Sequence, residues 1–175
     1  MLYERTNPIG LDLIIHKAQK KIYAALTKKW DKDLDAYPRC YVLEDESEKR
    51  TVEHYISKNE YSGNLIVSES DKFFFTAEDD QERVNNIQFE TKVKLYFILD
   101  LKFIYPDEPG RCDSKVLADV VNAVDRSGGF TSEYTIVTDY QSVFDSFFYE
   151  FDNIQPYYCF RIDLNTIPYS IDSIC

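Results

Sequence analysis

The 175-residue chain holds 31 Asp or Glu against 20 Lys or Arg, a net charge of −11 at neutral pH, with 44% apolar and 29% charged residues. That apolar content excludes a disordered chain and suits one sizeable core rather than two. The longest purely apolar stretch, residues 95–99, is far too short for a membrane span. The opening residues include Glu4 and Arg5 and lack the apolar core of a signal peptide, so synthesis in a cytosol and no membrane association are expected. Cys40, Cys112, Cys159 and Cys175 show no C-x-x-C spacing, which fits reduced, buried or incidental thiols.

The first predicted element follows Asn7-Pro8, read as an N-cap with proline at the first helical position. Leu11, Ile14, Ile15, Ala18, Ile22, Ala25 and Leu26 recur at helical spacing, with Lys17, Lys20, Lys21 and Lys28 on the opposite side. Residues 8–30 carry five lysines and one acid, Asp12, a local +4 in an acidic chain. Short β-like runs follow at 39–43, 51–56, 64–68 and 72–76, separated by polar turns, and read as a meander. Residues 77–86 read as a loop or a short exposed helix.

Residues 88–105 carry the strongest pattern. Odd positions from Phe89 through Thr91, Val93, Leu95, Phe97, Leu99, Leu101 and Phe103 to Tyr105 are mostly apolar, and the even positions include Gln88, Glu90, Lys92, Lys94, Asp100 and Lys102. This is the alternation of a β-strand with one buried face. Drawn straight, 18 residues (88–105) would reach about 60 Å, against a domain diameter of about 40 Å. Either a bulge or bend folds the segment back, or part of it projects as a β arm whose apolar face needs a second chain. Tyr96, Ile98 and Ile104 interrupt the polar face and are the predicted subunit-interface residues of this strand.

Beyond the break at 106–110, Asp113 or Ser114 should cap a helix striped by Val116, Leu117, Val120, Val121 and Val124, and Arg126 with Gly128-Gly129 should end it. Residues 134–137 read as a strand. At 142–151 a capping box begins at Ser142, and Val143, Phe144, Phe147, Phe148 and Phe151 follow at helical spacing, with a strand as the alternative. Residues 157–165 alternate as a closing strand. The expected fold is α+β: a single domain over 1–175 with a mainly antiparallel sheet, a long central strand and two or three packed helices.

The residue types that carry chemistry occur without the spacing that chemistry needs. Asp31, Asp33 and Asp35 resemble the opening of a calcium loop, but the sixth and twelfth positions hold Ala36 and Val42 in place of glycine and glutamate, so a polar turn is expected. Glu90-Thr91-Lys92 with Asp79 and Asp80 has the residue types of a magnesium nuclease, although alternating charges produce such a triplet by chance and an acidic chain repels a polyanion. His16 and His54 have no second His or Cys at ligand spacing and are expected to be packing or surface residues. No catalytic residue, metal or cofactor is predicted.

Charge adds a clue to assembly. Residues 127–175 contain seven acids and only Arg161, a local −6. If the positive and negative ends lie on opposite flanks, copies can meet head to tail through Lys17, Lys21 and Lys28, a contact that closes into rings when the rotation permits.

The order of these elements, a capped N-terminal helix, a meander, one very long strand near 89–105, a helix at 114–126 and a closing strand at 158–164, resembles the tail-terminator and tail-completion proteins of tailed bacteriophages. The resemblance spans most of the chain, rests on pattern rather than a motif, and carries over no catalytic residue. It implies a non-enzymatic structural subunit of the virion: a homo-oligomeric ring in the head-to-tail connector, or neck, between portal and tail. Its partners would be itself and adjacent portal, adaptor or tail proteins, with DNA passing nearby without specific binding. The alternative is an acidic protein that imitates nucleic acid and blocks a host enzyme's basic cleft.

Overall fold

The computed structural model describes residues 1–44, 46, 50–58, 60–62, 70–78, 81–144 and 157–170. The fold is α+β, with α-helices packed on a mainly antiparallel sheet. Helix α1 (Leu11–Trp30) buries Leu11, Ile15, Ala18, Ile22, Leu26 and Trp30. It starts three residues after the expected proline: Asn7 and the N-cap Gly10 both have positive φ, 50° and 54°, which keeps residues 7–10 out of the helix, and no side chain caps it. Asp31 in the left-handed region ends it, and the Asp31–Asp35 run is a turn, in which Asp33 accepts from the Tyr23 hydroxyl at 2.7 Å. Gln19, fully buried on the inner face of α1, donates from its amide nitrogen to the Tyr3 and Ala36 carbonyls, both at 2.8 Å. This holds residues 1–3 along strand β1 (Asp35–Arg39).

The expected meander is split. Chain direction changes at Cys40, so β1 joins the main sheet parallel to β5 (Lys72–Ala77), while β2 (Tyr41–Glu44), β3 (Arg50–Ser57) and β4 (Glu60–Ser62) pair as antiparallel hairpins outside it. The predicted run at 64–68 lies outside the described residues. Within the predicted loop at 77–86 stands β6 (Glu82–Arg83), a short exposed strand.

The long strand is broken twice, and its breaks decide what it can do. Residues Gln88–Glu90 form β7, which leaves the main sheet to pair with β6 and with β11 (Tyr169–Ser170). At Thr91 the backbone N–H goes to the Thr166 hydroxyl (3.1 Å) and the carbonyl accepts from Thr166 N–H (3.1 Å) in place of a ladder partner. Only β8 (Lys92–Asp100) runs through the sheet, about 30 Å at the usual rise, so it fits inside its own fold. At its far end the Asp100 carboxylate accepts from the N–H groups of Lys102 (2.8 Å) and Phe103 (3.2 Å), capping the one-turn helix α2 (Leu101–Ile104). A short acid at a strand end offers the backbone this alternative to the ladder. Leu101 and Ile104 then point inward and Phe103 outward, the spacing of a helix rather than the alternation of a strand.

Helix α3 (Asp113–Asp125) packs beside α1 through Val116, Val120, Ala123 and Val124; its N-cap is Cys112, without a side-chain bond, rather than Asp113 or Ser114. Gly129 at the following turn has φ +94°, and a Cβ there would stand 2.7 Å from Ile14 Cγ2, so only glycine lets this turn close against α1. Strand β9 (Phe130–Val137) follows, then the one-turn helix α4 (Tyr140–Val143), capped by Asp139 rather than by Ser142. Phe147, Phe148 and Phe151 lie outside the described residues. The predicted closing strand, β10 (Tyr157–Thr166), is interior, and β11 follows it. The main sheet runs β1-β5-β8-β10-β9.

Both faces of this sheet are used. Phe73, Phe75, Val93, Leu95, Phe97, Phe160, Ile162 and Leu164 face α1 and α3; Phe74, Tyr96, Ile98 and Cys159 face the other way and are covered by Tyr37, Cys40, Val52, Val143 and Phe144. Tyr96, Ile98 and Ile104 therefore do not form a subunit interface. Tyr96 and Ile98 are fully buried and Ile104 is 3% exposed, all enclosed by the chain's own residues. Tyr96 stacks on Phe74 (4.9 Å) and on Phe144 (6.3 Å). Broken into β7, β8 and α2, the segment 88–105 needs no second chain to cover it.

Candidate functional site

The cross-strand register explains why half of the second sheet face is covered and half is open. In successive rows across β5, β8, β10 and β9 it carries Lys72, Ile98 and Cys159; then Phe74, Tyr96, Arg161 and Val137; then Thr76, Lys94, Asp163 and Thr135. A last row pairs Lys92 with Asn165, with Glu78 donating its N–H to the Lys92 carbonyl at 3.1 Å. The face thus grades from apolar to charged over about 20 Å along the strands. The lid of β3, α4 and their neighbours ends where the apolar rows end.

Past that boundary lie two adjoining depressions of about 570 and 610 Å³ that share Glu78, Lys92, Glu133 and Asn165. The first is also lined by Lys94, Arg161 and Asp163, the second by Glu82, Glu90 and Thr91. Arg161, 5% exposed, is the hinge of the two halves. It forks onto Asp163 through Nε (2.6 Å) and Nη2 (3.1 Å), and its Nη1 donates to the Ser142 and Val143 carbonyls at 2.8 and 2.9 Å. Its guanidinium also lies over the Tyr96 ring, 5.9 Å from the centroid. The bidentate pair with Asp163 orients the guanidinium, and its Nη1 satisfies the last carbonyls of α4 and fixes the lid on the sheet. Glu78, Glu90 and Glu133 have no ion pair among the described residues.

One wall of the groove is β9, the last strand of the sheet. Its inner side pairs with β10, and among the described residues no strand pairs with its outer side. Thr131, Ser132, Glu133 and Thr135 are exposed, and Glu133 is the one charge in the strand. Sheet edges are ordinarily guarded by lysines, prolines or a cover, and this strand has none of the first two. The opposite edge, β1, has residues 1–3 running beside it, with Leu2 bridged to Ala36.

The three predicted interface lysines, Lys17, Lys21 and Lys28, are exposed together on the outer face of α1. Lys20 pairs with Glu4 at 2.8 Å and Lys29 approaches Asp119 at 3.8 Å, leaving Lys17, Lys21 and Lys28 without an ion pair among the described residues. They lie across the sheet from the groove. Sequence reasoning missed the groove itself, although Lys92, Lys94 and Arg161 among the alternating polar positions signalled it.

Of the remaining chemistry-bearing residues, Glu90 and Lys92 line the second depression and the histidines and described cysteines lie outside both. Glu90 and Lys92 flank the Thr91 break and belong to different sheets; Asp79 and Asp80 lie outside the described residues. No group of three or more His, Cys, Asp or Glu among the described residues is placed to hold a metal ion. Burial lowers the pKa of His16 and of His54; His16 Nε2 is 3.8 Å from Glu4, and His54 packs edge-on against Tyr37 at 5.0 Å. Cys40, Cys112 and Cys159 are free and buried, and burial holds each as a thiol, with Cys159 pushed up to about 12. No described helix is long and apolar enough to cross a membrane. Compared with protein-family models, curated proteins and solved structures, the chain matches none.

Proposed function

We propose that this chain is a non-enzymatic structural subunit that assembles with copies of itself into a ring. The observation that carries the reading is the unguarded edge of β9 beside an open charged groove: eight residues of strand with one charge and no described partner on their outer side. A row of unpaired N–H and C=O groups at such an edge is satisfied best by another polypeptide. The resemblance in element order supplies the setting, the neck of a tailed bacteriophage between portal and tail. There the ring would meet adjacent portal, adaptor or tail proteins, and a net charge of −11 would let DNA pass without adhering. On this reading the protein is made in the host cytoplasm and resides in the virion. No observation favours the nucleic-acid mimic, since the groove's carboxylates alternate with Lys92, Lys94 and Arg161.

Lysines placed on the edge test the reading. Thr131 and Thr135 are exposed, so Thr131→Lys with Thr135→Lys should leave circular dichroism and thermal unfolding nearly unchanged while light scattering reports monomers where the unaltered chain forms a larger species. Assembly that survives both lysines would remove β9 as the contact.

A further inference from the structure

The groove and the α1 lysines lie on opposite faces of one sheet, and the groove's described lining holds five carboxylates, Glu78, Glu82, Glu90, Glu133 and Asp163, against the three cations Lys92, Lys94 and Arg161, an acidic surplus opposite in sign to the lysine stripe. Resting on the reading above that copies of the chain associate, we propose that the lysine stripe of α1 in one copy docks over the groove beside β9 in the next.

Three features support this occupant. Within the groove Arg161 forks onto Asp163, and Glu78, Glu90 and Glu133 have no ion pair among the described residues although Lys92 and Lys94 line the same groove. On α1, Lys17, Lys21 and Lys28 stand within about 40° of one another around the helix, because each step of four or seven residues nearly completes whole turns. The spans also agree. Lys17 to Lys28 is eleven residues, about 16 Å along the axis, and Glu78 to Glu133 crosses the three strand spacings from β5 to β9, about 14 Å. Lysine ammonium groups lying along the rim would in addition donate to carbonyls on the open side of β9, and a helix is one of the usual covers of a sheet edge.

The two surfaces are different, so the contact is heterologous: each copy uses its helix on one neighbour and its groove on the other. Such a contact repeats around a ring and cannot close as a two-fold dimer. It also accounts for an acidic chain that keeps three unpaired lysines on one stripe, where like-charged copies would otherwise repel.

Charge reversal separates this from the broader reading. Two variants are compared with the unaltered chain by sedimentation velocity: Lys17→Glu with Lys21→Glu, and Glu78→Lys with Glu133→Lys. All four positions lie at the surface or in the open groove, and circular dichroism confirms folding. Each variant alone should sediment as a monomer, since its helix and groove now share a sign. An equimolar mixture should regain the large species, because each variant's helix complements the other's groove. Assembly by either variant alone, or a mixture of folded variants that stays monomeric, overturns the docking while leaving self-association in place. An unaltered chain that never assembles overturns the broader reading itself.

Discussion

Among the described carboxyls, Asp71 is the one whose surroundings oppose its charge most. It is 8% exposed, accepts the Asp100 backbone N–H, and faces the carboxylates of Asp100 and Asp35, with Lys72 as the one opposing cation. Burial, aided by those two carboxylates, pushes its pKa from 3.8 to about 6. Between these values the unfolded chain releases this proton while the folded chain keeps it, so this group's contribution to stability falls as pH rises through that window, and the loss is complete above about 6. Asp71→Asn retains the acceptor for Asp100 and removes the ionisation. It should raise stability at neutral pH by roughly 1–3 kcal/mol and flatten the pH dependence below it, measured by urea unfolding at several pH values. An unchanged or lower stability at neutral pH would show that the site stabilises the carboxylate. None of this was legible in the sequence, where Asp71 is one acid among many, because its burial comes from pairing with β1 and the end of β8. Arg161 makes the same point: its partner Asp163 lies two residues on, but the carbonyls of Ser142 and Val143 that complete its role are 19 and 18 residues away.

At the scale of elements, β8 shows how far a hydrophobic pattern reaches. The alternation through Val93, Leu95, Phe97 and Leu99 places the face against α1 and α3 as expected. It fails after Asp100, where Leu101, Phe103 and Tyr105 continue the strand alternation while Leu101 and Ile104 stand at helical spacing, and the capping carboxylate decides for the helix. Tyr96 and Ile98 announced a second buried face; only their cover was misassigned to another chain. That cover is gathered from Tyr37, Cys40, Val52, Val143 and Phe144, too scattered along the chain to be read locally. Hence Ile98→Asp, which an interface would tolerate in a folded monomer, should instead unfold the chain by placing an unpaired charge in a closed core, a loss on the order of 4 kcal/mol or more. Circular dichroism and urea unfolding read the result, and a folded Ile98→Asp monomer of near-normal stability would contradict the packing described here.

For the whole molecule, the sequence showed that charge is segregated, with lysines on the first helix and acids toward the end, but not where the two regions meet solvent. Strand β9 was legible only in part, at 134–137, and its place at the edge was not, since sheet order is set by pairings between residues far apart in sequence. What the fold adds is an edge with no strand partner among the described residues, an adjoining groove and a lysine stripe across the sheet from them. Together they turn a charge imbalance into two defined surfaces. The most direct measurement is negative-stain electron microscopy of the purified, unaltered chain at the highest soluble concentration, with its mass in solution determined in parallel. The account predicts closed rings of identical copies in which helix and groove alternate around the circumference. Isolated monomers, or two-fold dimers that pair β9 with itself, would contradict it.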